Sequence, residues 1–114
     1  MSDCLFCKII DGDINANIIY QNEQVLAFED IRPQAPHHIL IIPRKHIATL
    51  NDITVEDGEL IGHMLLVAKE LAKDLKFDKE GYRTVFNCNK NAGQEVFHLH
   101  LHLLGGRPLA WPPG

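Results

Sequence analysis

One segment near the C-terminal end restricts the fold more than any other part of the chain. From position 98, histidine and leucine alternate strictly as His98-Leu99-His100-Leu101-His102-Leu103. Successive side chains of a β-strand point to opposite faces, so this period of two predicts a strand, here taken as 96–104, with three imidazoles on one face and leucines on the other. An ordinary solvent face would carry Thr, Lys or Glu. The histidine stripe therefore indicates a chemical purpose.

The remaining elements follow from apolar periodicity and from turn residues. A short helix is expected at 5–10, and a hairpin is expected with strands 18–20 and 25–28 and a four-residue loop. An irregular segment, 30–36, leads into a central strand, 38–42, which Pro43 ends. Thr54 with Asp57 three residues later is typical of a helix start, and the apolar spacing continues to Leu75. Two strands, 82–87 and 96–104, joined by a polar loop, complete an α+β fold: a five-stranded antiparallel sheet, one long helix and a short N-terminal helix.

Composition limits the domain count and the partners. The chain has 114 residues, 46% of them hydrophobic and 23% charged, which is typical of one globular domain, 1–114. A net charge of −4 offers no basic field for a polyphosphate backbone, so we expect no nucleic-acid partner. No apolar run reaches the ~20 residues that span a bilayer, and the N-terminus has no secretory signal pattern. We therefore expect no membrane association and a cytoplasmic location.

Two chemistries use imidazoles at this spacing. Zinc binds neutral imidazole nitrogens at ~2.0–2.1 Å. Because His98 and His102 would lie ~13 Å apart along a straight strand, at most two neighbouring histidines could share one ion. The second chemistry is nucleophilic attack at phosphorus, in which one neutral imidazole attacks and a neighbouring histidine donates a hydrogen bond or proton. That use requires proximity alone, and it requires no metal.

Further segments carry a resemblance to a known family. The run 98–104 matches the His-φ-His-φ-His-φ-φ signature, with φ apolar, of the histidine triad (HIT) superfamily of nucleotide hydrolases and transferases. Stretches over nearly the whole chain resemble its Hint branch, the purine nucleoside phosphoramidases; they are 4–10, 27–31, 33–36, 42–47, 105–107 and 111–114. The resemblance implies hydrolysis of purine nucleoside 5′-phosphoramidates of AMP or GMP, such as adenosine 5′-monophosphoramidate, to the nucleoside monophosphate and an amine.

The resemblance also implies a role for each histidine of the site. His100 would be the nucleophile that forms a covalent nucleotidyl-imidazole, and His102 would hydrogen-bond the phosphate. His98 and His46 correspond to histidines behind the nucleophile that fix its tautomer. The positions that match nucleotide-contacting residues of the family are Asp30, Ile31, Asn87, Gly93, Gln94, Glu95 and Val96.

Glu95 departs from the animal form of the pattern, which has a serine credited with protonating the departing amine. A carboxylate beside a phosphate is repelled unless it is protonated or turned away. The leaving-group acid is therefore open between Glu95, a water and His102, which we expect as an imidazolium. Bacterial members carry Gly-Gln-Glu-Val at this point, so the departure is typical of a bacterial branch.

The Cys4-x-x-Cys7 motif has two interpretations. Some family members bind zinc through such a pair together with residues equivalent to His46 and His98, which would make the metal structural and leave His100 available for catalysis. The alternative, which the lone motif favours, is two cysteines of a short helix packed against the core. No cofactor is required for catalysis in either case.

The resemblance implies a homodimer in which two sheets join edge to edge and the tail 105–114 of one subunit reaches toward the partner's site. Trp111, a large aromatic residue on that short tail, agrees with burial by a partner. His37 is expected in a loop. His38 opens the central strand within reach of the phosphate site, and we assign it no role.

Two alternatives to the phosphoramidase remain open. One is an AMP-binding or zinc-stabilised interaction module without turnover. The other is a dinucleoside polyphosphate hydrolase, which the Hint-like C-terminus disfavours.

Overall fold

The computed structural model describes residues 3–114, so the first two residues of the predicted domain lie outside the described range. The elements are α1 (Leu5–Ile10), β1 (Ile18–Gln21), β2 (Val25–Glu29), β3 (His37–Pro43), α2 (Gly58–Asp74), β4 (Tyr82–Phe86) and β5 (Leu101–Gly105). Every strand pairing is antiparallel, and the strand order is β1-β2-β3-β5-β4. The predicted α+β fold, with a five-stranded antiparallel sheet and one long helix, is confirmed.

The sheet buries both of its faces, and each helix covers one of them. α2 packs its apolar stripe against one face, where the buried residues are Val25, Ala27, Ile39, Ile41, Leu99, Leu101 and Leu103 from the sheet side with Met64, Val67, Ala68, Leu71 and Ala72 from the helix. The six-residue α1 covers part of the other face, where the buried residues are Phe6, Ile9, Leu26, Phe28, Leu40 and Ile42. Because α1 is short, it leaves the rest of that face open for a site.

The start of the long helix agrees with the sequence pattern, with one addition. The Thr54 N–H donates to Asp57 Oδ2 at 2.9 Å, as the expected capping pair requires. A 3₁₀ turn, Val55–Asp57, separates this pair from the first residue of α2. Lys45 Nζ also donates to Asp57 at 2.6 Å, and this hydrogen bond lowers the pKa of the Asp57 carboxyl.

The histidine segment differs from its prediction. β5 begins only at Leu101, and residues 96–100 form an irregular segment that leads into it. Both neighbours of β5 stop pairing with it at Leu101, which is opposite Ile41 of β3 and Phe86 of β4, so residues 96–100 have no strand partner on either side. Of the three histidines only His102 lies on a strand. The prediction that all three share one face of a strand 96–104 is therefore wrong.

Three smaller differences concern the other strands. Gln21 belongs to β1, so the hairpin loop has three residues instead of four. β3 begins one residue early, so His37 is a strand residue and not a loop residue, and its ring stacks on Phe77 with centroids 4.4 Å apart. β4 ends at Phe86, one residue before its predicted end. Within residues 3–114 no helix is long and apolar enough to cross a membrane.

Candidate active site

A cavity of about 400 Å³ opens on the face of the sheet that α1 covers in part. Its apolar wall includes Leu5, Phe6 and Ile9 of α1 together with Phe28 of β2. The structure brings most of the predicted nucleotide-contacting residues to this one cavity; they are Asp30, Ile31, Asn87, Gly93, Glu95, Val96, His100 and His102. An apolar cavity with a few convergent polar groups is the usual form of a small-molecule site.

The backbone fixes the tautomer of His100. Its Nδ1 lies 2.7 Å from the carbonyl oxygen of His98. A carbonyl only accepts, so Nδ1 must carry the hydrogen and the lone pair must be on Nε2. The ring of Phe6 packs edge-on against the imidazole, with centroids 5.1 Å apart, and restricts its rotation. His100 therefore offers a neutral, oriented nitrogen nucleophile at the cavity wall.

A second chain of hydrogen bonds fixes His102, and it runs through His38. The Gln34 N–H donates to Nδ1 of His38 at 3.0 Å. Neutral His38 must then carry its hydrogen on Nε2, which lies 2.9 Å from Nδ1 of His102 and 3.5 Å from a carboxylate oxygen of Asp30. His102 accepts at Nδ1 and is left with a hydrogen on Nε2. A donor on His102 thus lies beside His100, with ring centroids of His100 and His102 5.0 Å apart.

His38 is the residue that the sequence interpretation missed. β3 and β5 pair Leu40 with His102 and His38 with Leu104, and directly opposed residues of an antiparallel pair share a face. His38 and His102 are therefore diagonal neighbours on the cavity side of the sheet. The register of β3 and β5 could have identified His38, because it makes His38 a neighbour of His102.

Burial keeps the histidines of the site neutral. It lowers the pKa of His38, His98 and His100 below the ordinary histidine value of 6.5. Burial, followed by the charges of His100 and His38, lowers the pKa of His102 to about 4. The expectation of an imidazolium at His102 is therefore wrong for the protein without a phosphate, because at pH 7 this ring is uncharged.

The loop before the histidine segment is held by a buried side chain. Gln94, 8% exposed, donates to the Ala48 carbonyl at 2.9 Å and accepts from the Asn89 N–H at 2.8 Å. It is not among the residues lining the cavity, and its predicted contact with a nucleotide stays a prediction. Gly93 lies at the cavity with φ of +79° and its N–H is engaged in a turn, so the left-handed backbone accounts for the glycine.

Comparison with known proteins assigns the family. Residues 11–109 match the model of the HIT domain. The chain belongs to the HIT domain family. The HIT protein is 49% identical to the purine nucleoside phosphoramidase of Escherichia coli K12, over 94% of this chain and 90% of that protein. It is 52% identical to an uncharacterized HIT-like protein of Synechocystis, over 98% of this chain and 97% of the other.

Solved structures of other family members have the same fold. A HIT family hydrolase from Legionella pneumophila superposes on this HIT protein with a TM-score of 0.97 and 56% identity, covering 98% of this chain and all of that one. A histidine triad protein from Clostridium difficile superposes with a TM-score of 0.93 and 43% identity, covering 96% of both chains.

Behind the cavity, this HIT protein gathers a second cluster of side chains. Nδ1 of His98 lies 3.3 Å from Sγ of Cys4 and 3.5 Å from Sγ of Cys7. Nδ1 of His46 lies 3.4 Å from Sγ of Cys7 and 3.1 Å from Nδ1 of His98. Nε2 of His98 must carry its hydrogen, because it lies 2.7 Å from the Pro43 carbonyl. The lone pair of His98 therefore points toward the sulfur atoms.

The donor set of this cluster fits zinc. A tetrahedral Zn²⁺ with two thiolates and two imidazoles has ligand atoms about 3.3–3.8 Å apart, from bond lengths of about 2.0–2.3 Å. The observed separations of 3.1–3.5 Å fall close to that range, and all four ligand atoms lie within 4.8 Å of one another. Two cysteines that only packed against the core would not require two histidine nitrogens to lie next to their sulfur atoms. Asp30, His38 and His102 also lie within this limit, but their hydrogen bonds already account for their arrangement.

Proposed function

We propose that this HIT protein hydrolyses purine nucleoside 5′-phosphoramidates, of which adenosine 5′-monophosphoramidate is the simplest, to the nucleoside monophosphate and an amine. The observation that carries the proposal is the hydrogen bond from His100 Nδ1 to the His98 carbonyl, which leaves the Nε2 lone pair at the cavity wall. The relative named purine nucleoside phosphoramidase supports the choice of substrate.

The reaction has two steps on this arrangement. Nε2 of His100 forms a bond to phosphorus as the P–N bond breaks, and the nitrogen of the leaving group keeps the bonding pair and takes a proton. Water then attacks the nucleotidyl-imidazole and gives a proton to the group that protonated the amine, which releases the monophosphate and returns the lone pair to His100. The Nε2–H of His102 would donate to a phosphoryl oxygen in both steps. The candidate donors of the proton to the amine are Glu95, which lines the same cavity, a water and His102.

The rest of the cavity would bind the nucleoside. The carboxylate of Asp30 would accept hydrogen bonds from ribose hydroxyls, and the apolar wall with Ile31 would contact the base. Asn87, Gly93 and Val96 would surround the phosphate and the leaving group. No cofactor is proposed for these steps.

Turnover of a fluorogenic adenosine phosphoramidate by the wild-type protein and by His100→Ala, both in chelator, tests the proposal. We expect wild-type turnover, its loss in the variant, and a nucleotidyl adduct on His100 in quenched reactions analysed by intact mass. AMP binding without turnover would instead indicate a binding or interaction module. Turnover of diadenosine polyphosphates in preference to the phosphoramidate would indicate the polyphosphate hydrolase.

We also propose that the protein acts as a homodimer. β4 is an edge strand, paired only with β5 among residues 3–114, and its outer backbone groups are suited to pair with β4 of a second copy. Arg107 Nε donates to the Gln34 carbonyl at 3.0 Å and holds the start of the tail 105–114 beside the segment after Asp30. Trp111, 81% exposed in the single chain, would be buried by the partner. The single domain 1–114 and the cytoplasmic location stay predictions.

Finally, we propose a structural zinc ion on Cys4, Cys7, His46 and His98. Zinc would stabilise the attachment of α1 to the loop after β3 and would supply no step of the reaction. Metal analysis of protein purified without chelator should give one zinc per chain for the wild type and for Cys88→Ser, and none for Cys7→Ser. Equal zinc content in all three proteins would contradict the site.

A further inference from the structure

His98 connects the cysteine cluster, to which its ring belongs, with the cavity residue His100, which its carbonyl oxygen contacts. Its ring, with none of its surface exposed, is held by the sulfur atoms on one side and by the Pro43 carbonyl on the other. Its own carbonyl oxygen accepts the hydrogen of His100 Nδ1 and so fixes the nucleophile. A change in the cysteines that displaces the His98 ring therefore changes the position of the acceptor for His100.

The sulfur atoms of Cys4 and Cys7 lie close enough together to form a disulfide with a small movement. Cys4 precedes α1 and Cys7 lies in its first turn, and Sγ of Cys4 accepts the Cys7 N–H at 3.4 Å. Their sulfur atoms lie within 4.8 Å of each other, so they need to approach by less than about 3 Å to form an S–S bond of about 2.05 Å. Neither side chain is fully buried. Cys-x-x-Cys at the start of a helix is the spacing of disulfide oxidoreductases.

We propose that Cys4 and Cys7 are a reversible oxidation site whose dithiol form holds His98, and through it the nucleophile His100, in place. The oxidant is hydrogen peroxide: a sulfur atom attacks a peroxide oxygen to form a sulfenic acid and release water, and the second sulfur displaces a second water. Two electrons pass from the sulfurs to the peroxide, and both thiol hydrogens end in water. A bound zinc ion would be released as its two thiolates are consumed. The effect on turnover rests on the proposed function, whereas the oxidation does not.

Oxidation changes the surroundings of a buried nitrogen. In the disulfide neither sulfur carries a hydrogen, so the lone pair on His98 Nδ1 loses the sulfur donors that face it and keeps only Nδ1 of His46 as a neighbour able to donate. Formation of the S–S bond also draws the two sulfur atoms toward each other, and together these changes drive a shift of the ring or of residues 96–100. Either shift moves the carbonyl that receives the hydrogen of His100. Disturbing such a supporting hydrogen bond typically lowers activity about 10- to 100-fold.

The test treats the full chain with hydrogen peroxide, in zinc-loaded and zinc-free form, and then with dithiothreitol. Intact mass should fall by two hydrogen atoms, peptide mapping should place the disulfide between Cys4 and Cys7, and a chromophoric chelator should detect released zinc. Cys88→Ser is the matched control and should behave as wild type, because Cys88 lies outside the cluster. Cys7→Ser should form no internal disulfide.

Two readouts follow the effect on the nucleophile. Imidazole ¹⁵N spectra, which need no substrate, should report the Nδ1–H tautomer of His100 in the reduced protein and its loss on oxidation. Phosphoramidate turnover should fall about 10- to 100-fold and return with dithiothreitol. The proposal is overturned if oxidation stops at sulfinic acid or uses Cys88, or if a mapped Cys4–Cys7 disulfide leaves the His100 spectrum unchanged. If the disulfide and the spectral change appear while the reduced protein turns over nothing, the phosphoramidase fails and the oxidation site stands.

Discussion

An imidazole nitrogen attacks phosphorus only when it carries no hydrogen, and here main-chain groups decide which nitrogen that is. The carbonyl of His98 fixes the hydrogen of His100 on Nδ1, and the Gln34 N–H, acting through His38, fixes that of His102 on Nε2. The proposed nucleophile and its neighbouring hydrogen-bond donor are therefore set before any substrate enters, which would remove a reorganisation cost from the proposed reaction.

The positioning role of His38 can be tested with a matched substitution of His37, its neighbour in the chain, as the control. His38→Gln should lower kcat about 10- to 100-fold, because His102 loses the partner that fixes its tautomer. His37→Gln is the matched control, since His37 stacks on Phe77 and is not among the residues lining the cavity. Unchanged kcat in His38→Gln would contradict the role.

The neutral histidines predict a pH dependence of stability. Burial lowers the folded-state pKa of His102 to about 4 from a usual 6.5, so between these values the unfolded chain binds a proton that the folded chain does not. The free energy of unfolding should therefore fall as pH decreases from 6.5 to about 4. Asp57, whose carboxyl pKa is lowered below 3.8, contributes only at more acid pH. Urea unfolding at several pH values measures the slope, and His102→Asn should flatten it.

At the scale of the elements, the sequence was informative where local chemistry decides the outcome. The capping pair of Thr54 and Asp57, the prolines around β3 and the apolar stripe of α2 predict these elements closely. The path of residues 96–100 was not predictable in this way, because period-two alternation describes side-chain faces but not whether a partner strand is present. His38 was missed for a related reason: its diagonal contact with His102 depends on the register of strands more than 60 residues apart.

The end of β5 carries a steric requirement that predicts a mutational effect. A Cβ on Gly105 would overlap the Phe77 ring, approaching Cε1 to 2.6 Å, and stacking with His37 restricts the retreat of that ring. Gly105→Ala should therefore lower the free energy of unfolding by about 1–3 kcal/mol, as overpacking typically does. Gly62→Ala on α2 is the control, because nothing lies within 4 Å of its added Cβ, and it should be neutral or stabilising. Equal denaturation midpoints for both variants would refute the clash.

At the scale of the whole molecule, the tail 105–114 and the outer edge of β4 are the surfaces that a partner would cover. Arg83 Nη2 donates to the Leu109 carbonyl at 3.4 Å, which ties the tail back to β4. Beyond this contact Trp111 is exposed in the single chain, and β4 pairs only with β5 among residues 3–114. In the proposed homodimer a second copy of the chain would cover both.

Trp111 is the only tryptophan of the chain, so its fluorescence reports on assembly. We expect its emission to be shifted to the blue at high protein concentration and to move to the red on dilution, in step with the dimer fraction from sedimentation. Trp111→Phe should retain dimers held by the paired β4 strands but lose the signal. A monomer at all concentrations, with fully solvent-exposed emission, would exclude the dimer.

The packing of α1 against the cavity has a consequence for altering the substrate range. Phe6 lines the cavity, is 4% exposed, and packs on both Phe28 and His100, so truncating it would damage the fold and the proposed catalysis together. Ile31 lines the same cavity yet is 92% exposed. If the cavity binds a nucleoside as proposed, variation in base preference would be accessible through Ile31 at small cost in stability, whereas the helix side of the cavity would be closed to it.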